Sequence, residues 1–145
     1  MKPTLLLTHI YDHLLGTGRP PTVREIAAFF DVHIDAVRHT LANLKVGKTV
    51  LLEPHTGEVW MAGPFSAMPT DYRVRGSGAT SFANCAWDML GVAVIVNERV
   101  TVETHCADCG QPMIFAVDPR TGAELDAIVH FLVPARHWYD DIGFT

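Results

Sequence analysis

Residues 18–44 read GRPPTVREIAAFFDVHIDAVRHTLANL, and this stretch gives the strongest indication of the fold in the 145-residue chain. Thr22 and Glu25 have the spacing of a capping box, in which each side chain accepts a hydrogen bond from the other residue's amide at a helix start. Apolar residues follow at helical spacing, in one group before a short turn at 31–33 and in a second group after it: Val23, Ile26, Ala27 and Phe30, then Ile34, Val37, Leu41 and Leu44. The stretch therefore predicts two amphipathic helices joined by a turn.

The segments on either side extend this prediction. Residues 4–15 place apolar side chains at helical spacing, and Gly16 and Gly18 then end the predicted helix. Downstream, residues 49–63 (TVLLEPHTGEVWMAG) predict two short strands around a turn at 54–57. Three helices followed by a hairpin are typical of a winged helix.

The second half of the chain predicts more strand than helix. Residues 64–82 are rich in proline, glycine and serine and predict a connection with a strand at 72–75. The apolar run at 85–96 fits either a helix leading into a strand or one buried helix, and its periodicity does not decide between them. Three further strands are predicted, at 99–106, 112–117 and 127–133, and the ending at 134–145 is expected to be irregular or to begin a helix.

These elements predict an α+β fold. We expect a three-helix, winged-helix-like part at residues 1–64, a connecting segment at 65–80, and a part at 81–145 that combines a small mixed or antiparallel sheet with one or two helices. The length suits one domain or two small subdomains that share an interface.

Charge bears on the DNA-binding role that a winged helix suggests. On the predicted third helix and just after it, five polar or basic residues could face a groove: Arg38, His39, Asn43, Lys45 and Lys48. The formal net charge is nevertheless −5, and Asp31 and Asp35 lie where phosphates would approach. Nucleic acid is therefore an unfavoured partner, and the three helices are as well explained as a packing module.

The chain contains three cysteines and no apolar run of the length that a membrane helix needs. Polar residues His9, Asp12 and His13 interrupt the first apolar segment, so we expect a helix of the mature protein and no secretory signal. A reducing cytoplasm is then the expected compartment, where cysteines are more often buried, metal-binding or catalytic than paired in disulfides.

Two of the cysteines form a Cys-x-x-Cys pair, Cys106 and Cys109, on a predicted turn between strands. Such a turn can direct backbone amides at thiolate sulfur, as in half of a zinc knuckle. A closed zinc site needs four ligands, and His105 or Cys85 would complete the set only if the fold brought them together. The alternative is that Cys106 is a small buried residue and Cys109 a turn residue.

The third cysteine, Cys85, stands three residues before Asp88 in the stretch ANCAWD at 83–88. On a helix these two positions share a face, which would direct a thiol and a carboxyl into the same space. A thiolate is a soft ligand and a nucleophile, and a carboxyl with a raised pKa can donate a proton. Spacing alone favours the alternative, a buried cysteine beside an aspartate at a helix start.

Read in order, the chain resembles the alkylmercury lyase (organomercurial lyase) family. The matching features are the stretch at 18–44, FANCAWDML at 82–90 in the position of the family's Cys-Ala-x-Asp motif, and RVTVETHCADCGQP at 99–112. The N-terminal match is unspecific by itself, because winged helices are common, and its combination with the other two is much more specific.

The resemblance implies an enzyme that breaks carbon–mercury bonds by protonolysis, with no cofactor beyond thiols. Cys85 matches the cysteine that first binds mercury, and Asp88 matches the aspartate that handles the proton. Mercury is then substrate and product, small organometallic compounds and cellular thiols are the expected partners, and no membrane is involved. The winged-helix-like part of these enzymes covers the active site and does not bind DNA.

The resemblance is incomplete at one position, because Thr145 falls about where the family has its second catalytic cysteine. The other two cysteines do not replace it. Cys106 matches a buried structural cysteine of the family, and Cys109 has no catalytic counterpart. A second hypothesis is therefore a non-catalytic protein on the same fold that binds Hg, Cu or Zn, with Cys85, Asp88, Cys106 and Cys109 as candidate ligands. A third is a metal-responsive winged-helix regulator.

Overall fold

Three helices form the first third of the chain in the computed structural model, which describes residues 1–143. They are α1 (Pro3–Thr17), α2 (Val23–Phe30) and α3 (Ile34–Val46). The predicted capping box is present at the start of α2: the Thr22 amide donates to Glu25 Oε2 at 2.7 Å, and the Glu25 amide donates to Thr22 Oγ1 at 3.2 Å. Local sequence therefore sets where α2 begins.

The rest of the described chain is built around one antiparallel sheet. Its eight strands are β1 (Val50–Leu52), β2 (Val59–Ala62), β3 (Phe65–Ser66), β4 (Arg73–Arg75), β5 (Ser81–Ala83), β6 (Val100–His105), β7 (Pro112–Asp118) and β8 (Gly122–Ala123). They lie in the order β1-β2-β3-β5-β4-β6-β7-β8. Helix α4 (Asp88–Val96) follows β5, and a short 3-10 turn lies at Ala135–His137. The α+β class predicted from the sequence is confirmed.

One hydrophobic core joins the helices to the sheet. Helix α1 contributes Leu6, Ile10 and Leu14, and the sheet contributes Phe65 and Val102, all almost completely buried. The end of α1 also lies against the segment before β5, since a Cβ on Gly18 would collide with the carbonyl oxygen of Thr80. Gly18 has a φ of 79°, so glycine suits this helix end for both space and backbone conformation.

Residues 85–96, for which the periodicity fits either one helix or a helix leading into a strand, contain helix and no strand. The apolar run forms a single helix from Asp88 to Val96, which packs against β4, β5 and β7 through Met89, Val92 and Ala93. The Tyr72–Arg75 prediction is also met, since β4 spans Arg73–Arg75. Strands β3 and β4 place parts of the predicted connecting segment, 65–80, within the sheet.

The predicted strand at 127–133 is wrong. The described chain has no strand there, and Ile128 and Leu132 are 93% and 81% exposed. The strand that pairs with the outer side of β7 is the two-residue β8, and residues 127–133 pair with no strand. Apolar composition alone does not make a strand without a hydrogen-bonding partner and a face to bury.

Among the helices of residues 1–143, none combines the length and apolar character required to cross a lipid bilayer.

Leu41 and Val46, both on α3, offer a matched test of this core. Leu41 is fully buried and Val46 is 85% exposed. We expect Leu41→Ala to lower the free energy of unfolding by about 2–5 kcal/mol, because it leaves a cavity beneath the helix. We expect Val46→Ala to change it by less than about 0.5 kcal/mol. Urea denaturation followed by circular dichroism measures both, and equal losses would contradict the described packing of α3.

Candidate functional site

Cys85 lies in the turn that connects β5 to α4. The strand ends at Ala83, and the Asn84 amide then donates to the carbonyl oxygen of Pro64 at 3.1 Å. The carbonyl oxygen of Cys85 accepts from the Met89 amide at 3.1 Å, so the first turn of α4 is wound directly onto Cys85. The predicted i, i+3 relation to Asp88 is therefore realised at the beginning of the helix.

The thiol and the carboxyl are in contact. Cys85 Sγ lies 3.5 Å from Asp88 Oδ2. Asn84 Nδ2 donates to the same Oδ2 at 3.1 Å and to the carbonyl oxygen of Gly63 at 2.9 Å. One carboxylate oxygen thus receives hydrogen bonds from both residues, and Asn84 connects it to the turn between β2 and β3.

Burial dominates the electrostatics of the pair. Removal from water raises the pKa of the Cys85 thiol, and the nearby Asp88 charge adds to this rise. Removal from water also raises the pKa of Asp88, although hydrogen bonds from Asn84 and Cys85 oppose that rise. Burial therefore disfavours the charged form of each group.

The pair opens into a cavity of about 310 Å³. The lining is mainly apolar and aromatic, and Lys48, Thr49, Ser66 and Thr70 add polar groups to those of the pair and Asn84. The apolar and aromatic side chains that line it are Leu51, Trp60, Met61, Met68, Trp87, Phe131, Trp138, Tyr139 and Ile142. Such a cavity suits a small, largely hydrocarbon ligand that must reach a thiol.

The C-terminal segment forms one wall of this cavity. The Phe131 ring lies 5.0 Å from the Trp138 ring and 6.4 Å from Trp87, measured between centroids. Lys48 Nζ lies 3.7 Å above the centre of the Tyr139 ring, a cation–π contact. Residues from the first and last parts of the described chain therefore meet at the cavity.

The other two cysteines lie away from this cavity, on the turn between β6 and β7. Neither Cys106 nor Cys109 is among the residues that line the cavity of Cys85. Amides of Cys109 and Asp108 donate to the Cys106 sulfur and lower the pKa of that thiol, as does the Cys109 thiol. Across residues 1–143, no three His, Cys, Asp or Glu side chains are grouped closely enough to hold a metal ion.

The remaining predicted residues separate into three cases. Arg38, His39, Asn43 and Lys45 are exposed on α3. Lys48, predicted to face a groove with them, instead lines the cavity. Thr145, the position where the resemblance expects a second catalytic cysteine, lies outside the described residues.

Sequence reasoning missed Asn84 and the aromatic wall. Asn84 directly precedes Cys85, so its position in ANCAWD was available as a signal, but its bond to the Gly63 carbonyl spans 21 positions and has no local pattern. The sequence predicts a strand over Phe131, and an irregular end or the start of a helix over Trp138 and Tyr139. Nothing in their spacing indicates that they meet Trp87 and Lys48.

Two comparisons with known proteins give matches. A family model described as alkylmercury lyase matches residues 65–144. The fold is similar to a solved structure entitled "Crystal structure of the mercury-bound form of MerB2", with a TM-score of 0.62 and 20% sequence identity. That similarity covers 84% of this chain and 58% of the other, so this chain spans little more than half the length of that protein. The comparison with curated proteins gives no match.

The raised pKa of Asp88 makes a prediction about stability. A carboxyl whose pKa is higher in the folded than in the unfolded state stabilises the fold below its unfolded pKa, and this contribution is lost as the pH rises through the folded pKa. Asp88→Asn removes the ionisation, so we expect it to be more stable than the wild type at neutral pH. The advantage should shrink as the pH falls through the raised pKa of Asp88 and should be absent once the pH is below the ordinary range of a carboxyl.

Urea denaturation between pH 3 and pH 8 checks this prediction. Asp126→Asn removes one negative charge from an exposed residue outside the cavity and serves as the control, with an expected change within about 0.5 kcal/mol. A wild type that gains stability relative to Asp88→Asn as the pH rises would contradict the described environment of Asp88.

Proposed function

Because the chain belongs to the alkylmercury lyase family, we propose that it cleaves carbon–mercury bonds by protonolysis in the cavity that contains Cys85. The observation that carries the proposal is the 3.5 Å contact between Cys85 Sγ and Asp88 Oδ2 inside an apolar cavity. A soft sulfur ligand and a proton donor are the two groups that this reaction requires. Here they can act on adjacent atoms of one substrate.

Cys85 is the proposed mercury ligand. Mercury(II) is a soft ion that prefers thiolate sulfur to oxygen or nitrogen. When an organomercury cation binds, the Cys85 thiol loses its proton to the Asp88 carboxylate as the sulfur–mercury bond forms. The apolar and aromatic side chains of the cavity would surround the organic group.

Asp88 is the proposed proton shuttle. The carboxyl that has received the thiol proton lies beside the new sulfur–mercury bond and can deliver that proton to the carbon. The electron pair of the carbon–mercury bond then forms the carbon–hydrogen bond, so a hydrocarbon leaves and Asp88 returns to the carboxylate. The raised pKa of Asp88 supports this role, because a proton held weakly by a surface carboxyl would be lost to water.

Asn84 is a proposed positioning residue. Its amide nitrogen holds Asp88 Oδ2 at 3.1 Å and is itself fixed by the Gly63 carbonyl. These bonds restrict the carboxyl to the side of the helix that faces Cys85. They also stabilise the carboxylate formed after proton delivery, since an amide donor favours the charged form.

A second thiolate completes the proposed cycle. Mercury(II) left on Cys85 needs another ligand, and Cys85 is the only cysteine among the described residues that line the cavity. We propose that a small cellular thiol supplies this ligand and removes the metal, which fits a protein that works in a reducing cytoplasm. No resident metal or organic cofactor enters these steps.

Methylmercury with excess thiol tests the proposal directly. We expect the wild type to release methane and Hg(II), and Cys85→Ser to release neither above background. Asp88→Asn should still retain mercury on Cys85 but should cleave about 10² to 10⁴ times more slowly, the usual contribution of a positioned proton donor. Gas chromatography measures methane, and mass spectrometry of the native protein measures retained mercury.

The exposed Asp126 again provides the control. Asp126→Asn should release methane at the wild-type rate, because it changes the same charge without changing the cavity. Methane release by the wild type that does not exceed release by Cys85→Ser would refute the proposal.

The second candidate is soft-metal binding without cleavage. The presence of a single cysteine among the described residues of the cavity favours it, because one thiolate activates a carbon–mercury bond less than two. Under this alternative the wild type would retain one tightly bound metal and release no methane. The two measurements just described separate the candidates.

A further inference from the structure

The turn between β6 and β7 holds two free thiols in a defined backbone arrangement. The Cys106 amide donates to the Gln111 carbonyl at 2.9 Å, and the Gly110 amide donates to the Cys106 carbonyl at 2.8 Å. Gly110 has a φ of 70° and no atom within 4 Å of where a Cβ would stand. The turn is therefore closed by hydrogen bonds on both sides of Cys106 and reversed at a glycine.

This backbone directs donors at one of the two sulfurs. The Cys109 and Asp108 amides and the Cys109 side chain lower the pKa of the Cys106 thiol. The hydrogen-bonded turn also holds Cys106 and Cys109 three positions apart on one tight reversal of the chain, the spacing of half of a zinc knuckle. Amide hydrogen bonds of this kind stabilise negative charge on sulfur, which a thiolate ligand carries.

The exposure of the two thiols and the number of available ligands determine which metal ion the pair could bind. Cys109 is exposed and Cys106 is half-buried, and both are free thiols. Because no third His, Cys, Asp or Glu within residues 1–143 joins them, neighbouring His105 included, the described chain offers two ligands and not the four of a closed zinc site. Two neighbouring thiolates suit a soft cation that is satisfied by two sulfur ligands.

We propose that Cys106 and Cys109 form a second soft-metal site, which binds Hg(II) or a cation of similar chemistry through two thiolates. Binding replaces the two sulfur–hydrogen bonds with two metal–sulfur bonds and releases two protons, with no change in oxidation state. The site is separate from the Cys85 cavity and does not depend on carbon–mercury cleavage there.

Mercury(II) alone, added to the full chain in the Cys85→Ser background, tests this site. In the presence of excess glutathione, native mass spectrometry should find one Hg(II) per chain. Adding either Cys106→Ser or Cys109→Ser should lower the apparent affinity at least about 100-fold, because the second thiolate then no longer binds within the same molecule. Ala107→Ser changes the same turn without removing a thiol and should leave binding unchanged.

Three results would overturn the proposal. The first is a Cys85→Ser protein that retains no Hg(II) against glutathione while its circular dichroism remains that of the wild type. The second is unchanged retention after Cys109→Ser, which would show that the two cysteines do not act together. The third is one Zn(II) per chain retained against a chelator, because that would require ligands beyond the pair. Methane release is measured separately, so failure here and failure at Cys85 are distinguishable.

Discussion

The hydrogen bonds of the Asn84 side chain are the constraint on which the candidate site depends. One amide nitrogen joins the carbonyl of Gly63, in the turn between β2 and β3, to the carboxyl of Asp88, at the beginning of α4. Without this link the carboxyl of a half-buried aspartate would be free to rotate toward water. With it, the carboxyl stays beside the Cys85 sulfur, and its raised pKa reflects burial that the amide donor only partly offsets.

The segment that follows α3 contributes to the cavity. Lys48, just after α3, is one of five residues predicted to face a groove, yet its ammonium group lies over the Tyr139 ring at the cavity wall. A cation that is engaged with an aromatic ring is less available to a phosphate. The other four residues predicted to face a groove are exposed on α3, so this contact bears on Lys48 alone.

Local patterns predicted the elements whose formation is local. Thr22 and Glu25 predict the start of α2, and the spacing of Cys85 and Asp88 predicts their proximity, although Cys85 lies in the turn before α4 and not on the helix. Contacts between residues far apart in the sequence, such as Asn84 with Gly63 and Lys48 with Tyr139, could not be predicted. The error at 127–133 has the same origin, because a strand forms only by pairing with another part of the chain, and the strand that pairs with β7 there is β8.

Burial that disfavours charge on Cys85 and Asp88 also favours the proposed mercury-bound state. With one proton between them, the free pair carries one negative charge in an apolar cavity, which is costly. Binding of an organomercury cation to the sulfur, with transfer of the thiol proton to Asp88, leaves a neutral sulfur–mercury–carbon unit beside a neutral carboxylic acid. Burial raises both pKa values because it disfavours charge. For the same reason it stabilises the neutral complex, in which the protonated Asp88 lies beside the carbon–mercury bond that is to be cleaved.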